Sequence, residues 1–279
     1  AATSDELKYG FSSNLLILSQ DFVKPVTSLD FSILNYVGST KEYLEFTKID
    51  TKDFEWNVTV TMANNKNTVK ELIGDVTYYR IAAAPFKVEV GAFVGQEYGV
   101  IMGTDYVYDD NGNKIVDANG YYKSTSGNVP LGSVNPTITG GLLNSFRYKN
   151  FDCSILLDGQ AGGKFFSTSY MWGMYSGMLE ETAGLNELGN ELRGDPAAGG
   201  GALNEGVLAD GTVNTKRVDA ETWAGGFYSG PAAQNVFSSD FIKLREITVG
   251  YTLPIKSNVI SNLKVSAYGR NLALWGPDT

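Results

Sequence analysis

A strict alternation of apolar and polar residues at positions 54–62 constrains the fold more than any other feature of this sequence. One face carries the apolar residues Phe54, Trp56, Val58, Val60 and Met62, and the other carries their four polar neighbours. Successive side chains of a β-strand point to opposite faces, so the pattern predicts a strand that is apolar on one side. The apolar face meets a second sheet in a soluble sandwich and lipid in a membrane barrel, and the pattern leaves both open.

The composition extends this expectation to the whole chain. Glycine contributes 32 residues, tyrosine 16 and phenylalanine 14; aromatic residues favour pleated surfaces and glycine favours tight turns, so we expect an all-β fold. No run approaches the roughly 18 apolar residues of a membrane-spanning helix, which excludes a helical membrane protein. A formal net charge of −9 repels nucleic acid, and we expect no nucleic-acid partner.

Further strand patterns lie in the second half of the sequence. Residues 142–148 and 151–157 are extended runs joined by Lys149 and Asn150, which predicts a hairpin whose turn uses the ability of asparagine to adopt positive φ. Residues 241–252 and 263–271 are two more strand patterns. Pro254 marks the end of the first of these, because proline cannot donate to a sheet ladder.

Long stretches rich in turn residues separate these strands. Residues 109–113 and 117–120 read as two tight turns around Ile115 and Val116. From residue 172 to residue 230 the alternation fades and glycines interrupt it. Loops of this length without regular structure are uncommon in compact soluble domains and are usually functional. Short turns on one side and long loops on the other are typical of an outer-membrane barrel.

Catalytic and metal-binding residues are scarce. The sequence has no histidine and a single cysteine, Cys153, which excludes Ser-His-Asp and Cys-His catalysis, His-ligated zinc and an internal disulfide. No glycine motif for nucleotide phosphates occurs. Oxygen ligands alternate through residues 109–117 as in a calcium loop, but Lys114 and Gly120 replace the required glycine and glutamate. We expect no enzyme and no cofactor, and favour two turns over the calcium alternative.

Aromatic residues in the long loops are the candidate ligand-binding residues. They lie in glycine-rich sequence without strand alternation: Tyr170, Trp172, Tyr175, Trp223, Phe227 and Tyr228. Aromatic faces stack on sugar rings, and an amide such as Asn186 can accept hydrogen bonds from sugar hydroxyls. The alternative is that these rings pack the loops together or belong to an interfacial aromatic girdle.

The two C-terminal strand patterns contain the strings FIKLREITVGYTLP at residues 241–254 and YGRNLALW at residues 268–275. They resemble a signature near the C-terminus of SusC-like (SusC/RagA-type) TonB-dependent transporters. The matching residues are Phe241, Lys243, Leu244, Arg245, Gly250, Tyr251, Leu253, Pro254 and Asn271. Other strings resemble the family in the same order, among them TKDFEWNV at residues 51–58, DDNGNKIVDANGY at residues 109–121 and GVLADGTVN at residues 206–214.

The resemblance implies the C-terminal portion of an antiparallel transmembrane β-barrel of roughly 22 strands with long extracellular loops. Residues 1–50 match the family weakly. Residues 51–165 would supply strands and hairpins, residues 166–235 the long outer loops, and residues 236–279 the C-terminal strands. The family's plug domain, its TonB box and its final strands are not recognisable in this sequence.

The resemblance also implies a function and partners. Such proteins import oligosaccharides, or sometimes peptides, through the outer membrane of Gram-negative bacteria, with TonB and a SusD-like surface lipoprotein as partners and the lipid bilayer around them. The alternative is a soluble, secreted β-rich module that binds glycans or mediates adhesion without transport. The first reading predicts that Trp56, Val58 and Val60 face lipid, and the second that they pack against another sheet.

Overall fold

The computed structural model describes residues 40–84, 87–255, 260 and 262–276. Most of the weakly matched stretch, residues 1–39, lies outside the described residues. The chain forms two compact units. Within the described residues, unit 1 comprises residues 40–67, 136–162 and 240–276, and unit 2 comprises residues 68–135 and 163–239.

Strands dominate the described residues and are numbered in chain order. They are β1 (Thr40–Asp50), β2 (Phe54–Asn64), β3 (Tyr78–Ala84), β4 (Val88–Phe93), β5 (Tyr98–Gly103), β6 (Val129–Ser133), β7 (Ile138–Tyr148), β8 (Phe151–Ala161), β9 (Lys164–Phe166), β10 (Ala202–Leu203), β11 (Arg217–Val218), β12 (Val236–Ser238), β13 (Phe241–Leu253) and β14 (Leu263–Trp275). The α-helices are α1 (Thr168–Tyr175) and α2 (Ala220–Ser229). Short 3-10 turns occupy Glu180–Thr182, Pro196–Ala198 and Ala232–Asn235.

Unit 1 is one antiparallel sheet in the order β1-β2-β7-β8-β13-β14. At the centre of the sheet, Val60 pairs with Leu142, Leu142 with Leu157, and Leu157 with Leu244. Short connections join β1 to β2 and β7 to β8 at one end of the sheet. The segments that follow β2 and β8 both leave from the opposite end, and they supply unit 2.

The two faces of this sheet differ in chemistry because the pleat sends alternate side chains to opposite sides. One row of the apolar face consists of Trp56, Phe146, Cys153 and Val249, with the first two rings stacked 5.7 Å apart. On the polar face, ion pairs link the strands: Glu55–Arg147, Asp152–Lys264, Asp158–Arg245 and Glu246–Arg270. The alternation predicted for residues 54–62 and 151–157 is confirmed.

The apolar face of unit 1 has no core. Among the side chains that the structure describes, every fully buried hydrophobic residue belongs to unit 2. On the face itself, Met62 is 44% exposed and Ile242 is 58% exposed. Burial of apolar area is the main favourable term in folding, so a sheet that leaves such a face open in water is unstable. The face therefore requires a cover of lipid or protein.

The C-terminal signature has a structural basis at a bulge between β13 and its neighbours. Arg245 is the extra residue of the bulge, and its guanidinium pairs with the Asp158 carboxylate of β8. Arg245 also donates to the side-chain oxygen of Asn271, at 3.3 Å. Asn271 itself has a φ of +52°, a conformation that asparagine tolerates better than most residues. The arginine thus ties three strands together.

Gly250 of the same signature lies beneath an ion pair. Lys264 of β14 reaches across β13 to Asp152 of β8, at 2.8 Å. A Cβ at position 250 would lie 2.6 Å from Lys264 Cε and 2.7 Å from an Asp152 carboxylate oxygen. A side chain at this position would therefore displace the ion pair from its present geometry.

Unit 2 has its own hydrophobic core. Strands β3, β4, β5 and β6 pair in that order as an antiparallel sheet. One core cluster consists of Val88, Ile101, Leu131 and Ala232. A second consists of Leu192, Ala202 and Val218, with Tyr121 and Trp223 packed against it. Residues from both inserted segments share each cluster, so the two segments fold as one body.

The described residues are mostly antiparallel β-strand with two α-helices, in keeping with the β fold predicted from the sequence. Three expectations from the sequence are corrected by the structure. The helices fall within or overlap residues 172–230, which are therefore not a loop without regular structure. In the turn between β7 and β8 the positive φ, +52°, belongs to Lys149; Asn150 instead donates its side-chain amide to the Thr252 carbonyl. Strand β14 ends at Trp275 rather than at residue 271. None of the helices in the described part is long and apolar enough to cross a membrane.

Candidate functional site

Two aspartates fold the segment from residue 104 to residue 125 into the first wall of a cleft. Asp109 Oδ1 accepts hydrogen bonds from the backbone N–H groups of Asn111 and Asn113, at 2.9 and 2.7 Å. Asp117 binds the N–H groups two and four residues further on in the same way. Turns closed by an aspartate side chain are a standard use of this residue. The two predicted turns are confirmed.

The calcium alternative for residues 109–117 finds no support in this geometry. Both oxygens of Asp109 are occupied, because Oδ2 accepts a further hydrogen bond from Asn113 Nδ2 at 3.0 Å. These bonds from Asn113 hold the pKa of the Asp109 carboxyl below its ordinary value. Across the residues that the structure describes, no group of three or more His, Cys, Asp or Glu side chains is placed to hold a metal ion.

Helix α2 forms the second wall of the cleft. Asp219 caps it by accepting hydrogen bonds from the hydroxyl and the backbone N–H of Thr222, at 2.7 and 2.8 Å, and both bonds lower the pKa of its carboxyl. Residues four apart lie on the same side of a helix. Trp223 and Phe227 are spaced in this way, and their rings meet edge to face with centroids 5.4 Å apart.

The cleft between the two walls has a volume of about 610 Å³, which falls within the range of small-molecule sites. Its lining combines aromatic rings, neutral polar groups and one carboxylate: Tyr106, Tyr121, Tyr122, Ser124, Leu203, Asn204, Glu205, Thr222, Trp223, Gly226, Phe227, Ser229, Gly230, Pro231 and Gln234. On the first wall Tyr106 and Tyr122 meet edge to face at 5.0 Å. Each wall therefore presents a pair of rings.

A lysine braces the tyrosine wall. Lys114 Nζ lies 3.8 Å from the ring centroid of Tyr106 and 5.2 Å from that of Tyr122, within the range of cation–π attraction. Burial raises the pKa of the Tyr106 hydroxyl, and burial together with the Glu205 carboxylate raises that of Tyr122. Both hydroxyls therefore stay protonated at neutral pH and can donate hydrogen bonds.

The polar groups of the lining differ in their availability. Asn204 Nδ2 donates to the Gly120 carbonyl at 2.8 Å, and Gln234 Nε2 donates to the Gly226 carbonyl at 2.5 Å, so both amides are partly used by the fold. The carboxylate of Glu205 forms neither an ion pair nor a hydrogen bond with any described residue. It is exposed at the cleft and free to meet a ligand.

The structure divides the six predicted aromatic residues into two groups. Trp223 and Phe227 line the cleft. Tyr170 contacts the Phe227 ring edge to face at 5.8 Å without lining the cleft. The other three form a separate cluster in which Trp172 stacks on Tyr228 at 5.2 Å and Tyr175 meets both rings edge to face. These four rings pack against other rings of α1 and α2, and ligand contact by any of the six stays a prediction.

Asn186 has a structural role rather than the predicted polar contact. Its Nδ2 donates to the carbonyls of Gly199 and Gly201, at 2.9 and 3.0 Å. Its Oδ1 accepts from the N–H groups of Leu188 and Asn190, both at 3.1 Å. All of its hydrogen-bonding capacity toward a ligand is therefore used to close a turn.

Three residues of the cleft were not predicted from the sequence: Tyr106, Tyr122 and Glu205. The available signal was the pair of Asp-x-Asn-Gly turns, because each turn folds its flanking residues back on each other. Tyr106 is bridged to Ser124 and Tyr122 to Val116 as a result. The position of Glu205 depends on long-range pairing and left no local signal.

No protein-family model matches the chain. In sequence it is similar to TonB-dependent receptor P3 of Formosa agariphila, with 22% identity over an alignment of 249 positions that covers 80% of this chain and 22% of the receptor. It is also similar to TonB-dependent receptor P26 of the same organism, with 23% identity over an alignment of 305 positions that covers 97% of this chain and 28% of the receptor. The chain thus spans about a quarter of the length of these relatives.

Solved structures of similar fold are those of the RagAB peptide importer. Its closed-closed state matches with a TM-score of 0.55 and 17% identity, over 85% of this chain and 25% of that chain. Its open-open state matches with a TM-score of 0.51 and 15% identity over the same shares. The resemblance to SusC/RagA-type TonB-dependent proteins read from the sequence is confirmed by these matches.

Proposed function

We propose that this chain forms part of the barrel wall and of the surface loops of a SusC-like, TonB-dependent transporter in the outer membrane of a Gram-negative bacterium. The sheet of unit 1 carries the proposal. No described side chain covers its apolar face, and its opposite face holds several ion pairs between strands. In a barrel wall the first face contacts the lipid bilayer and the second lines the lumen.

The direction of the long segments supports the same assignment. Both insertions that build unit 2 leave the sheet from one end, and the short turns lie at the other end. Outer-membrane barrels have short periplasmic turns and longer extracellular loops. Unit 2 then lies on the cell surface, where it meets the external ligand and a SusD-like lipoprotein. TonB is the proposed energy-coupling partner of the full-length receptor.

The proposed ligand is an oligosaccharide. The cleft of unit 2 offers two pairs of aromatic rings and several neutral hydrogen-bonding groups, which suit the apolar faces and hydroxyls of sugars. A peptide is the second candidate, because the structures of similar fold are those of a peptide importer. The relatives are named as receptors and importers, which supports transport rather than catalysis.

Fractionation of the full-length receptor tests the membrane assignment. Outer membranes are washed with high salt and carbonate, and the protein is then extracted with detergent and run with and without heating. Retention through the washes together with a heat-dependent change in gel migration is expected. Release into the soluble fraction would contradict the proposal and favour the secreted glycan-binding or adhesive module.

Uptake measurements test the transport role in the same strain. Cells that carry the full-length receptor are offered labelled oligosaccharides and labelled peptides, and matched cells lack either the receptor or TonB. Accumulation that requires both proteins is expected for one of the two ligand classes. Equal accumulation in all three strains, for both classes, would remove the transport role.

A further inference from the structure

The cleft of unit 2 has a chemical bias beyond its aromatic walls. Resting on the proposed function of unit 2 as the ligand-contacting part, we infer that this cleft selects ligands that carry an ammonium group, which Glu205 binds beside the rings of Trp223 and Phe227. An amino sugar and a basic peptide share that group.

The lining of the cleft carries a negative charge. Glu205 is the one ionised side chain among the residues that line the cleft. Four other carboxylates of unit 2 have partners within the fold: Asp109, Asp117 and Asp219 accept turn or helix N–H groups, and Glu187 pairs with Arg217. The carboxylate of Glu205 has no ion-pair or hydrogen-bond partner among the described residues. A ligand cation that enters the cleft therefore meets one unpaired negative charge.

The chemistry of the rings supports the same inference. Aromatic faces attract cations, most strongly tryptophan. The wall itself shows this preference, since the Lys114 ammonium lies 3.8 Å from the centroid of the Tyr106 ring. Lys114 contacts the tyrosine rings and does not belong to the lining, so the charge that a ligand meets in the cleft is negative.

The expected size of the preference follows from the exposure of Glu205. A charge-assisted hydrogen bond is about twice as strong as a neutral one, but water and salt screen an exposed pair. We expect an ammonium-bearing ligand to bind about fivefold to tenfold more tightly than its neutral counterpart. The preference should shrink as the salt concentration rises.

Binding to the full-length, detergent-solubilised receptor tests the inference with two matched pairs of probes. The first pair is the β-1,4-linked trisaccharide of glucosamine and that of glucose, compared where the amine is protonated. The second pair is N-acetylated, C-amidated Ala-Lys-Ala and its norleucine analogue. In the first pair three ammonium groups take the place of three hydroxyls, and in the second pair one ammonium group takes the place of a hydrogen. The variants are Glu205→Gln, which keeps the shape of the side chain, and Glu221→Gln as a control, because Glu221 is exposed on α2 outside the cleft.

Tighter binding of the cationic member of at least one pair, lost in Glu205→Gln and kept in Glu221→Gln, is expected; the pair that shows it identifies the source of the ammonium. The inference is overturned by equal affinities within both pairs, by a preference that Glu205→Gln leaves unchanged, or by the absence of binding of every probe. Membrane retention is measured in a separate experiment. A receptor that stays in the membrane but does not prefer the cationic ligands overturns this inference and leaves the proposed function standing.

Discussion

In unit 2, Ile101 is 1% exposed and packs with Val88 and Leu131, whereas in unit 1 Ile242 is 58% exposed on the apolar face of a regular sheet. The two units have similar apolar residues but bury them by different means. Unit 2 folds its irregular segments around a core of its own, as a protein does in water. Unit 1 has long, well-registered strands and depends on an external cover. A barrel wall with surface loops explains both within one chain.

The largest expected effect is on the core of unit 2. Replacement of Ile101 by alanine removes a fully buried side chain and should destabilise unit 2 by about 2–5 kcal/mol. Ile242→Ala removes a side chain that is more than half exposed, and its effect should be much smaller. Hydrogen exchange of the amides of β5 and β13 in the full-length receptor measures both. A greater loss of protection in Ile242→Ala than in Ile101→Ala would contradict the contrast between the two units.

Two adjacent leucines of β8 test which face of the sheet contacts lipid. Leu157 lies on the apolar face between Leu142 and Leu244, and Leu156 lies on the polar face beside Glu246. An arginine that faces lipid at mid-depth costs about 2–4 kcal/mol, so Leu157→Arg should reduce the amount of heat-modifiable barrel in the outer membrane. On the proposed assignment the arginine of Leu156→Arg faces the lumen, and this variant should assemble normally. Equal assembly of the two variants would contradict the assignment.

A smaller effect is expected at the cap of α2. Asp219→Ala should destabilise the helix by about 1 kcal/mol, since the cap hydrogen bonds are lost. The folded pKa of Asp219 lies below its ordinary value of 3.8, so its contribution is present above that value and is lost as the pH falls through the lowered pKa. Asp219→Asn keeps a side chain that can cap the helix but removes the carboxyl group that titrates. Hydrogen exchange of the α2 amides across this pH range should vary with pH in the wild type and less in Asp219→Asn.

The smallest expected effect has the opposite sign. Gly225 lies inside α2, and a Cβ there meets nothing within 4 Å. Gly225→Ala should stabilise the helix by about 0.5–1 kcal/mol, because glycine loses more backbone entropy on folding. Gly250→Ala in unit 1 is the contrasting variant, and it should destabilise the sheet by displacing the Asp152–Lys264 pair. The protection of α2 and of β13 against hydrogen exchange reports both; a loss of protection in Gly225→Ala would contradict the account of α2.

The strands of unit 1 were predictable because alternation is a local signal. The strands at residues 54–62 and 151–157 were predicted correctly, because their side chains alternate between the two faces of the sheet and one face is apolar along the whole strand. The positive φ at Lys149 was not predictable, because it is set by the pairing of β7 and β8 rather than by the preference of the residue.

The helices of unit 2 were missed for a physical reason. Helices of eight and ten residues are marginal in water and depend on packing and capping. Glycine inside both weakens the sequence signal: Gly173 in α1, and Gly225 and Gly226 in α2. Their caps, Ser167 and Asp219, can be recognised only once the helices are known.

The cleft was predictable only in part. Trp223 and Phe227 were identified by their aromatic character in a glycine-rich stretch. The opposite wall comes from residues 106–124, about a hundred positions earlier in the chain, and no local pattern connects the two. Distant pairing, such as the bridge between Ile115 and Val207, brings these segments together.

Spin labelling at Cys153 tests whether the apolar face of unit 1 contacts lipid. A nitroxide is attached to this residue in the full-length receptor, reconstituted in lipid and freed of any other cysteine. A second sample carries Cys153→Ser with Ser154→Cys, which moves the label to the polar face. The account predicts that the label at position 153 collides with oxygen and not with a water-soluble nickel chelate, and that the label at position 154 does not share this lipid signature. A label at position 153 that is shielded from both reagents would place this face against another sheet and contradict the account.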